Sequence, residues 1–176
     1  MSFKSGFVTI VGRPNVGKST LINQLIGEKI SIVSSKPQTT RNTIRTIINQ
    51  EDCQIIFIDT PGIHKPKNKL GEYMVNVAQG TINEVDAVLF LVEATDDEPG
   101  TGDRYIAEQL KKSKTNVLLI INKIDLINKE DLLKVIENFS KLMDFSTVIP
   151  VSALNNEGTD IVINEIKKML PEGPKY

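Results

Sequence analysis

Four residues near the start of the chain have the types and spacing that suit binding of a phosphate group. Gly12, Gly17, Lys18 and Ser19 form the pattern G-x-x-x-x-G-K-S directly after the apolar run Phe7–Val11. This pattern predicts a strand, a glycine-rich loop whose backbone N–H groups surround phosphate, and then a helix. The lysine of such a loop reaches the β- and γ-phosphates of a nucleoside triphosphate, and the serine hydroxyl coordinates Mg²⁺. A chance glycine-rich turn is disfavoured, because a strand precedes the loop and a helical stretch follows it.

A second motif, D-x-x-G, follows the apolar run Ile55–Ile58. A strand here would deliver Asp59 to the magnesium ion through a bound water, and Gly62 would offer its backbone N–H to the γ-phosphate. A turn after a strand explains the pattern equally well when it is taken alone. Its position at the end of a second strand, downstream of the phosphate loop, favours the magnesium site, because ligands of such sheets bind at the carboxyl ends of strands.

The residues Asn122, Lys123 and Asp125 follow the apolar run Val117–Ile121 and predict which base is bound. The carboxylate of Asp125 would accept hydrogen bonds from N1–H and the 2-amino group of guanine, and adenine lacks both donors. A site built around such contacts can reject the wrong base by about 10⁴–10⁵. We expect Lys123 to lie along the base with its stem and Asn122 to brace the phosphate loop.

A fourth loop follows the last predicted strand and would complete the base site. It reads Ser152-Ala153-Leu154, and the Ala153 backbone N–H is assigned to O6 of guanine. The signal is poor by itself and depends on its position after the strand.

These loops need a sheet to hold them, and short β-branched runs do alternate with amphipathic helical stretches. The predicted strands are Phe7–Val11, Thr43–Asn49, Gln54–Ile58, Ala87–Val92, Val117–Ile121 and Thr147–Val151. The alternation predicts an α/β three-layer sandwich with a mostly parallel, six-stranded sheet. The short link Gln50–Cys53 predicts one antiparallel hairpin at an edge. Helices are predicted from Thr20 to Ile26 and within residues 132–143 and 162–170.

Composition excludes several classes of protein. The 176 residues are 40% hydrophobic, which predicts one globular domain, and the net charge of −1 disfavours a free-standing nucleic-acid binder. Cys53 is the only cysteine, so no disulfide framework is expected and a reducing compartment is favoured. The N-terminus lacks the pattern of a signal peptide, and no apolar run approaches the length of a membrane span.

In this order the motifs resemble the translation-factor-like branch of P-loop GTPases, and within it the Era family of bacterial ribosome-assembly GTPases. The segments that carry the resemblance are Gly12–Thr20, Gln38–Arg41, Asp59–Lys67, Leu70–Met74 and Leu170–Pro174. The resemblance covers essentially the whole chain and implies that residues 1–176 form a GTPase domain. The family continues into a KH domain that binds the 3′ end of 16S ribosomal RNA, and nothing in this sequence resembles the GXXG loop of such a module.

The resemblance implies a cytoplasmic, Mg²⁺-dependent switch that hydrolyses GTP to GDP and phosphate. It also implies coupling to assembly of the small ribosomal subunit, contact with 16S ribosomal RNA through the KH domain, and peripheral association with the inner membrane. The alternative is a guanine-nucleotide-dependent binding module in which hydrolysis is incidental. An ATP-using P-loop kinase is disfavoured by the motif Asn122–Asp125.

The resemblance also assigns roles within the site. Mg²⁺ is held by Ser19, by Thr40 (with Thr39 as the alternative) and, through water, by Asp59, while Lys18, Thr40, Gly62 and Asn15 are the predicted catalytic residues. The predicted contacts with GTP are Gly12, Arg13, Pro14, Asn15, Val16, Gly17, Lys18, Ser19, Thr20, Asp59, Thr60, Pro61, Gly62, Asn122, Lys123, Asp125, Ser152, Ala153 and Leu154.

Two positions bear on the rate of hydrolysis. Ile63 stands after Gly62, where Ras-like enzymes have a glutamine that orients the attacking water. An isoleucine can neither donate nor accept a hydrogen bond, so slow intrinsic turnover is predicted. Related GTPases with an asparagine at the position of Asn15 use it to bind K⁺, which acts like an arginine finger. The alternative, that Asn15 only suits the geometry of the loop, stays open.

Overall fold

A single twisted sheet with helices on both faces organises the chain. The computed structural model describes residues 3–13, 16–27, 30–31, 43–59 and 80–175. The strands are β1 (Lys4–Gly12), β2 (Ile30–Ser31), β3 (Thr43–Asn49), β4 (Cys53–Asp59), β5 (Ala87–Glu93), β6 (Asn116–Asn122) and β7 (Thr147–Pro150). The helices are α1 (Lys18–Ile26), α2 (Thr101–Lys111), α3 (Lys129–Ser140) and α4 (Thr159–Met169), with a 3₁₀ turn at Ile124–Leu126 and helical residues at 80–84.

The strand order is β2-β3-β4-β1-β5-β6-β7. Parallel pairing joins β4 to β1, β1 to β5, β5 to β6 and β6 to β7, whereas β3 is antiparallel to β4. This confirms the predicted α/β class and the antiparallel hairpin. The described residues add a seventh strand, β2, which pairs with β3 through two residues only. A two-residue pairing has no sequence periodicity, which is why the prediction stopped at six strands.

Two apolar clusters fill the spaces between the sheet and its helices. Alternate residues of the central strands point to opposite faces, so that Leu118 and Ile120 of β6 join one cluster while Leu119 and Ile121 join the other. The first cluster includes residues of α1 and α4, and the second includes residues of α2 and α3. The central strands are therefore buried on both faces, as their continuous apolar sequence predicts.

The carboxyl ends of the parallel strands meet at one edge of the sheet. The chain runs from β1 through β2, β3 and β4 on one side of β1 and then crosses to β5 on its other side, so the strand order reverses at β1 and this edge is the topological switch point where ligands of α/β proteins bind. The loops after β1, β4, β6 and β7 all begin at this edge. These are the four loops that carry the motifs.

Helix α2 has no counterpart in the sequence prediction. Its sequence is polar except for a short stripe, of which Ile106, Ala107 and Leu110 are buried. The helix is started by a capping interaction in which the backbone N–H of Gly100 donates to Asp103, with a separation of 3.2 Å.

The environment of the single cysteine and the lengths of the helices can be compared with the expectations from composition. Cys53 opens β4 with 1% of its surface exposed, and burial raises the pKa of its thiol, which agrees with the interpretation of a packed small residue. No helix in the described part of the chain is long and apolar enough to cross a bilayer.

Candidate functional site

The phosphate loop leaves β1 at Gly12 and enters α1 at Lys18. Gly17 has a φ of 98°, in the left-handed region that favours glycine, and a Cβ there would lie 2.4 Å from the side-chain nitrogen of Asn122. At Gly12 a Cβ would lie 2.7 Å from the Leu91 carbonyl oxygen. Both glycines of the motif are therefore required by close approach of their neighbours, and Gly17 also by its backbone angle.

The lysine and the hydroxyl of the loop occupy the first turn of α1. Lys18 Nζ donates to the Gly12 carbonyl at 3.1 Å, so its side chain arches back across the loop. Ser19 and Thr20 are exposed beside it, at the helix N-terminus, where the helix dipole favours an anion. The described part of the loop thus presents a lysine, a serine hydroxyl and a helix N-terminus on one side.

Arg13 binds acidic side chains of the segment that follows β5. Its Nε donates to Asp103 at 2.9 Å, and its Nη2 forms an ion pair with Asp96. Burial acts to lower the pKa of Arg13, but the two carboxylates outweigh it and leave that pKa raised above its ordinary value. The phosphate-loop motif predicts Arg13 as a contact of the nucleotide. In the structure its guanidinium has two carboxylate partners.

Asn122 connects two of the loops. Its side-chain Nδ2 donates to the Val16 carbonyl at 3.0 Å, which is the brace of the phosphate loop that the sequence predicts. Its Oδ1 accepts from the Ala153 backbone N–H at 3.0 Å. The same Ala153 N–H is the one predicted to donate to guanine O6. Asn122 is only 3% exposed, and a buried amide oxygen needs a donor, which this N–H supplies.

The base loop follows β6 and turns sharply. Lys123 has a φ of 69° and donates from Nζ to Oε1 of Glu93 at 2.6 Å. Asp125 lies in the 3₁₀ turn, where its Oδ1 accepts from the Ser152 hydroxyl at 2.8 Å. Ser152 is fully buried and fixes that carboxylate, whereas Asp125 itself is exposed. The carboxylate of Asp125 is therefore oriented by a buried hydroxyl while the residue itself stays exposed to solvent.

Several predicted site residues lie outside the described part of the chain. They are Pro14, Asn15, Thr39, Thr40, Thr60, Pro61, Gly62 and Ile63. The backbone of Asp59 is described as the last residue of β4, and its side chain is not. Because β4 lies beside β1 in parallel, Asp59 reaches the same edge of the sheet as the phosphate loop.

Three acidic residues at this edge belong to none of the sequence motifs. Glu93, Asp96 and Asp103 bind the charged side chains of Arg13 and Lys123. Glu93 ends the apolar run of β5, and a charge at the carboxyl end of a strand is a signal that could have drawn attention to it. The other two lie in an acidic stretch that reads as a solvated surface.

Comparison with known proteins gives consistent results. A family model described as 50S ribosome-binding GTPase matches residues 7–123. The GTPase Era of Ruminiclostridium cellulolyticum is 61% identical over 176 residues, which is 100% of this chain and 59% of that relative. The chain therefore spans about 59% of the length of the curated relative that it matches.

Solved structures of Era share the fold. A crystal structure of Era with MgGDPNP and nucleotides 1506–1542 of 16S ribosomal RNA has a TM-score of 0.81 and 40% identity, covering 99% of this chain and 59% of that one. A variant of Aquifex aeolicus Era bound to GDP·AlF4⁻ has a TM-score of 0.79 and 39% identity, covering 98% of this chain and 59% of that one. These likenesses confirm the resemblance to Era that the motifs indicate. Because the family model matches more than half of the sequence, the chain belongs to the 50S ribosome-binding GTPase family.

Proposed function

We propose that the chain binds Mg²⁺ and GTP at this edge of the sheet and hydrolyses the nucleotide to GDP and phosphate. The observation that carries the proposal is the side chain of Asn122, which joins the phosphate loop at Val16 to the Ser152–Leu154 loop at Ala153. Asp125 is joined to the same loop through Ser152. A phosphate-binding element and a guanine-selective carboxylate are thereby held in one site. The Era structures bound to MgGDPNP and to GDP·AlF4⁻ support the same nucleotide.

Within this proposal the described residues of the site have separate roles. Lys18 releases the Gly12 carbonyl and binds the β- and γ-phosphates, where it neutralises charge as the bond to the leaving group lengthens. Asp125, oriented by Ser152, accepts the two hydrogen bonds from guanine. Glu93 restrains Lys123 so that its stem lies against the base. Phosphoryl transfer to water depends mainly on such positioning and on charge neutralisation.

The proposed magnesium ligands are Ser19 and Thr40, with Asp59 acting through water. The exposed hydroxyl of Ser19 at the start of α1 fits this assignment, because Mg²⁺ prefers oxygen ligands and keeps several waters. When bound, the ion would neutralise charge on the β- and γ-phosphates. The described residues include no group of three or more His, Cys, Asp or Glu side chains arranged to hold a metal.

Hydrolysis by the purified protein tests the proposal directly. We expect phosphate release from GTP, slowly and only with Mg²⁺, and no release from ATP.

Single-turnover measurements with added small or large ribosomal subunits test which subunit is the partner. We propose that the partner is the small ribosomal subunit, in the cytoplasm, because the similar Era structure contains 16S ribosomal RNA. The description of the family model names the 50S subunit, which is why both subunits are compared. GTP binding without hydrolysis under any of these conditions would favour the alternative of a binding module.

Potassium is expected to accelerate hydrolysis if Asn15 provides an oxygen ligand for it. We expect turnover several-fold higher in KCl than in NaCl at matched ionic strength, because a cation beside the β- and γ-phosphates neutralises charge that develops in the transition state. An Asn15→Ala variant should lose the difference while it retains the rate seen in NaCl. Equal wild-type rates in the two salts would show that Asn15 serves only the geometry of the loop.

A further inference from the structure

The segment from the last residue of β5 to the first turn of α2 contacts both nucleotide loops at once. We call residues 93–103 the bracing segment. At its start Glu93 accepts a hydrogen bond from Lys123 of the base loop at 2.6 Å. Further along, Asp96 and Asp103 bind the guanidinium of Arg13, which belongs to the phosphate loop. One short connection therefore reaches two loops that lie more than 100 residues apart in the sequence.

The contact between Arg13 and Asp103 is built into the protein interior. The Asp103 side chain is fully buried, with one oxygen accepting from Arg13 Nε at 2.9 Å and the other from the Gly100 N–H at 3.2 Å. A Cβ at Gly102 would lie 2.9 Å from Cδ of Arg13, so the glycine leaves room for the arginine stem. A buried carboxylate is stable only when it is paired and hydrogen-bonded. Asp103 therefore holds Arg13 in one place.

Fixing Arg13 also fixes the start of the phosphate loop. Arg13 follows Gly12, whose carbonyl accepts from Lys18 and whose backbone is closely packed against Leu91. The Nε and Nη2 atoms of Arg13 are engaged with carboxylates. Because Arg13 is covalently joined to Gly12, holding its side chain also restrains the backbone at the start of the phosphate loop. A loop that is held in its binding conformation before the ligand arrives loses less entropy on binding.

We propose that Arg13 is a positioning residue that holds the phosphate loop against the bracing segment and thereby sets the affinity for the diphosphate part of the nucleotide. This inference rests on the proposed function, because it assumes that the loop binds GTP and GDP. It assigns to Arg13 a role that differs from direct contact with the nucleotide. The two roles predict different effects when the acidic partners are changed: weaker binding if Arg13 positions the loop, and unchanged binding if it contacts the nucleotide directly.

The test compares Arg13→Gln, Asp103→Asn and the double variant by their binding of a fluorescent GDP analogue. We expect each single variant to bind GDP about tenfold more weakly, mainly through faster dissociation, because a hydrogen-bonded charge pair is lost. The double variant should be no weaker than the weaker single variant, because both changes break the same contact. The preference for GTP over XTP should stay as in the wild type, since Asp125 is untouched.

Asp96→Asn provides a second variant in case the buried change at position 103 prevents folding. Asp96 is 37% exposed, so this variant is expected to fold and to weaken binding by a smaller factor in the same direction. Glu108→Gln is the matched control, because Glu108 forms an exposed ion pair with Lys111 in α2, 2.9 Å apart, and touches neither loop. It should bind GDP as the wild type does.

Three results separate the explanations. If Arg13→Gln weakens binding while Asp103→Asn and Asp96→Asn do not, Arg13 contacts the nucleotide directly and the inference is wrong. If the variants unfold at lower temperature yet bind GDP normally well below that temperature, the contact serves stability alone and the inference is again wrong. A wild-type protein that binds no guanine nucleotide would overturn the proposed function itself.

Discussion

Replacing Asp125 with asparagine is expected to lower the affinity for GTP by about 10²–10⁴-fold. Two hydrogen bonds from guanine to a carboxylate are lost, and each bond to a charged group contributes about 1.5–3 kcal/mol. The amide that replaces the carboxylate offers N–H to the 2-amino group of guanine, so a donor faces a donor. We expect GTP hydrolysis at low nucleotide concentration to fall by the same factor, because binding is impaired and the phosphate loop is unchanged.

The same variant is expected to gain affinity for XTP. Xanthine has a carbonyl at position 2, which can accept from the asparagine amide while N1–H still donates to its oxygen. The structure permits this exchange because the partner of Asp125 is a hydroxyl, Ser152, 2.8 Å away. A hydroxyl both donates and accepts, so it can pair with either atom of the new amide. Competition between GTP and XTP for the fluorescent GDP analogue measures both changes.

Asp144→Asn is the control for this substitution. Asp144 is an exposed aspartate between α3 and β7, near the amino end of β6, which is the opposite edge of the sheet from the candidate site. The same chemical change there should leave both affinities as in the wild type. Unchanged GTP affinity in Asp125→Asn would contradict the assignment of this carboxylate to guanine.

The sequence predicts where these loops lie along the chain better than it predicts the hydrogen bonds and ion pairs that join them. A strand such as β6 is recognisable because it is buried on both faces, and its motif residues follow it directly in the chain. The ion pairs of Arg13 join residues 83 and 90 positions apart, and no local pattern signals them. Only the fold brings the bracing segment beside the phosphate loop.

The exposure of Asp125 also could not be predicted from the sequence. A motif gives the chemical groups of a site, whereas the solvent exposure of Asp125 depends on how the surrounding loops fold. The hydrogen-bond partner of the Ala153 N–H is a similar case. The sequence shows that Asn122 is near the end of a buried strand, but only the structure shows that its Oδ1 takes that N–H.

Replacing Asn122 with alanine is expected to destabilise the protein by about 2–6 kcal/mol. The substitution leaves the Val16 carbonyl and the Ala153 N–H without their partner, and both residues are 1% exposed. Each buried polar group left unpaired costs about 1–3 kcal/mol. The amide also fills the space beside Gly17, so its removal leaves a gap under the phosphate loop. Urea unfolding without nucleotide at low temperature measures the loss, because the remaining stability of a small domain can be slight.

The fraction of Asn122→Ala that remains folded is expected to bind GDP about tenfold more weakly or worse, because loops that are not held in their binding conformation lose more entropy on binding. The reason is that the phosphate loop and the Ser152–Leu154 loop are no longer held by one side chain. Asn122→Asp distinguishes bonding from size, because the carboxylate has the shape of the amide but cannot donate to the Val16 carbonyl. It should therefore be impaired as well. Asn138→Ala removes a partly exposed amide that donates to the Asp97 carbonyl at 2.9 Å, and it should cost about 1 kcal/mol or less without affecting affinity. If Asn122→Ala loses stability but binds GDP normally when folded, Asn122 supports the fold alone and the site does not depend on the link between its loops.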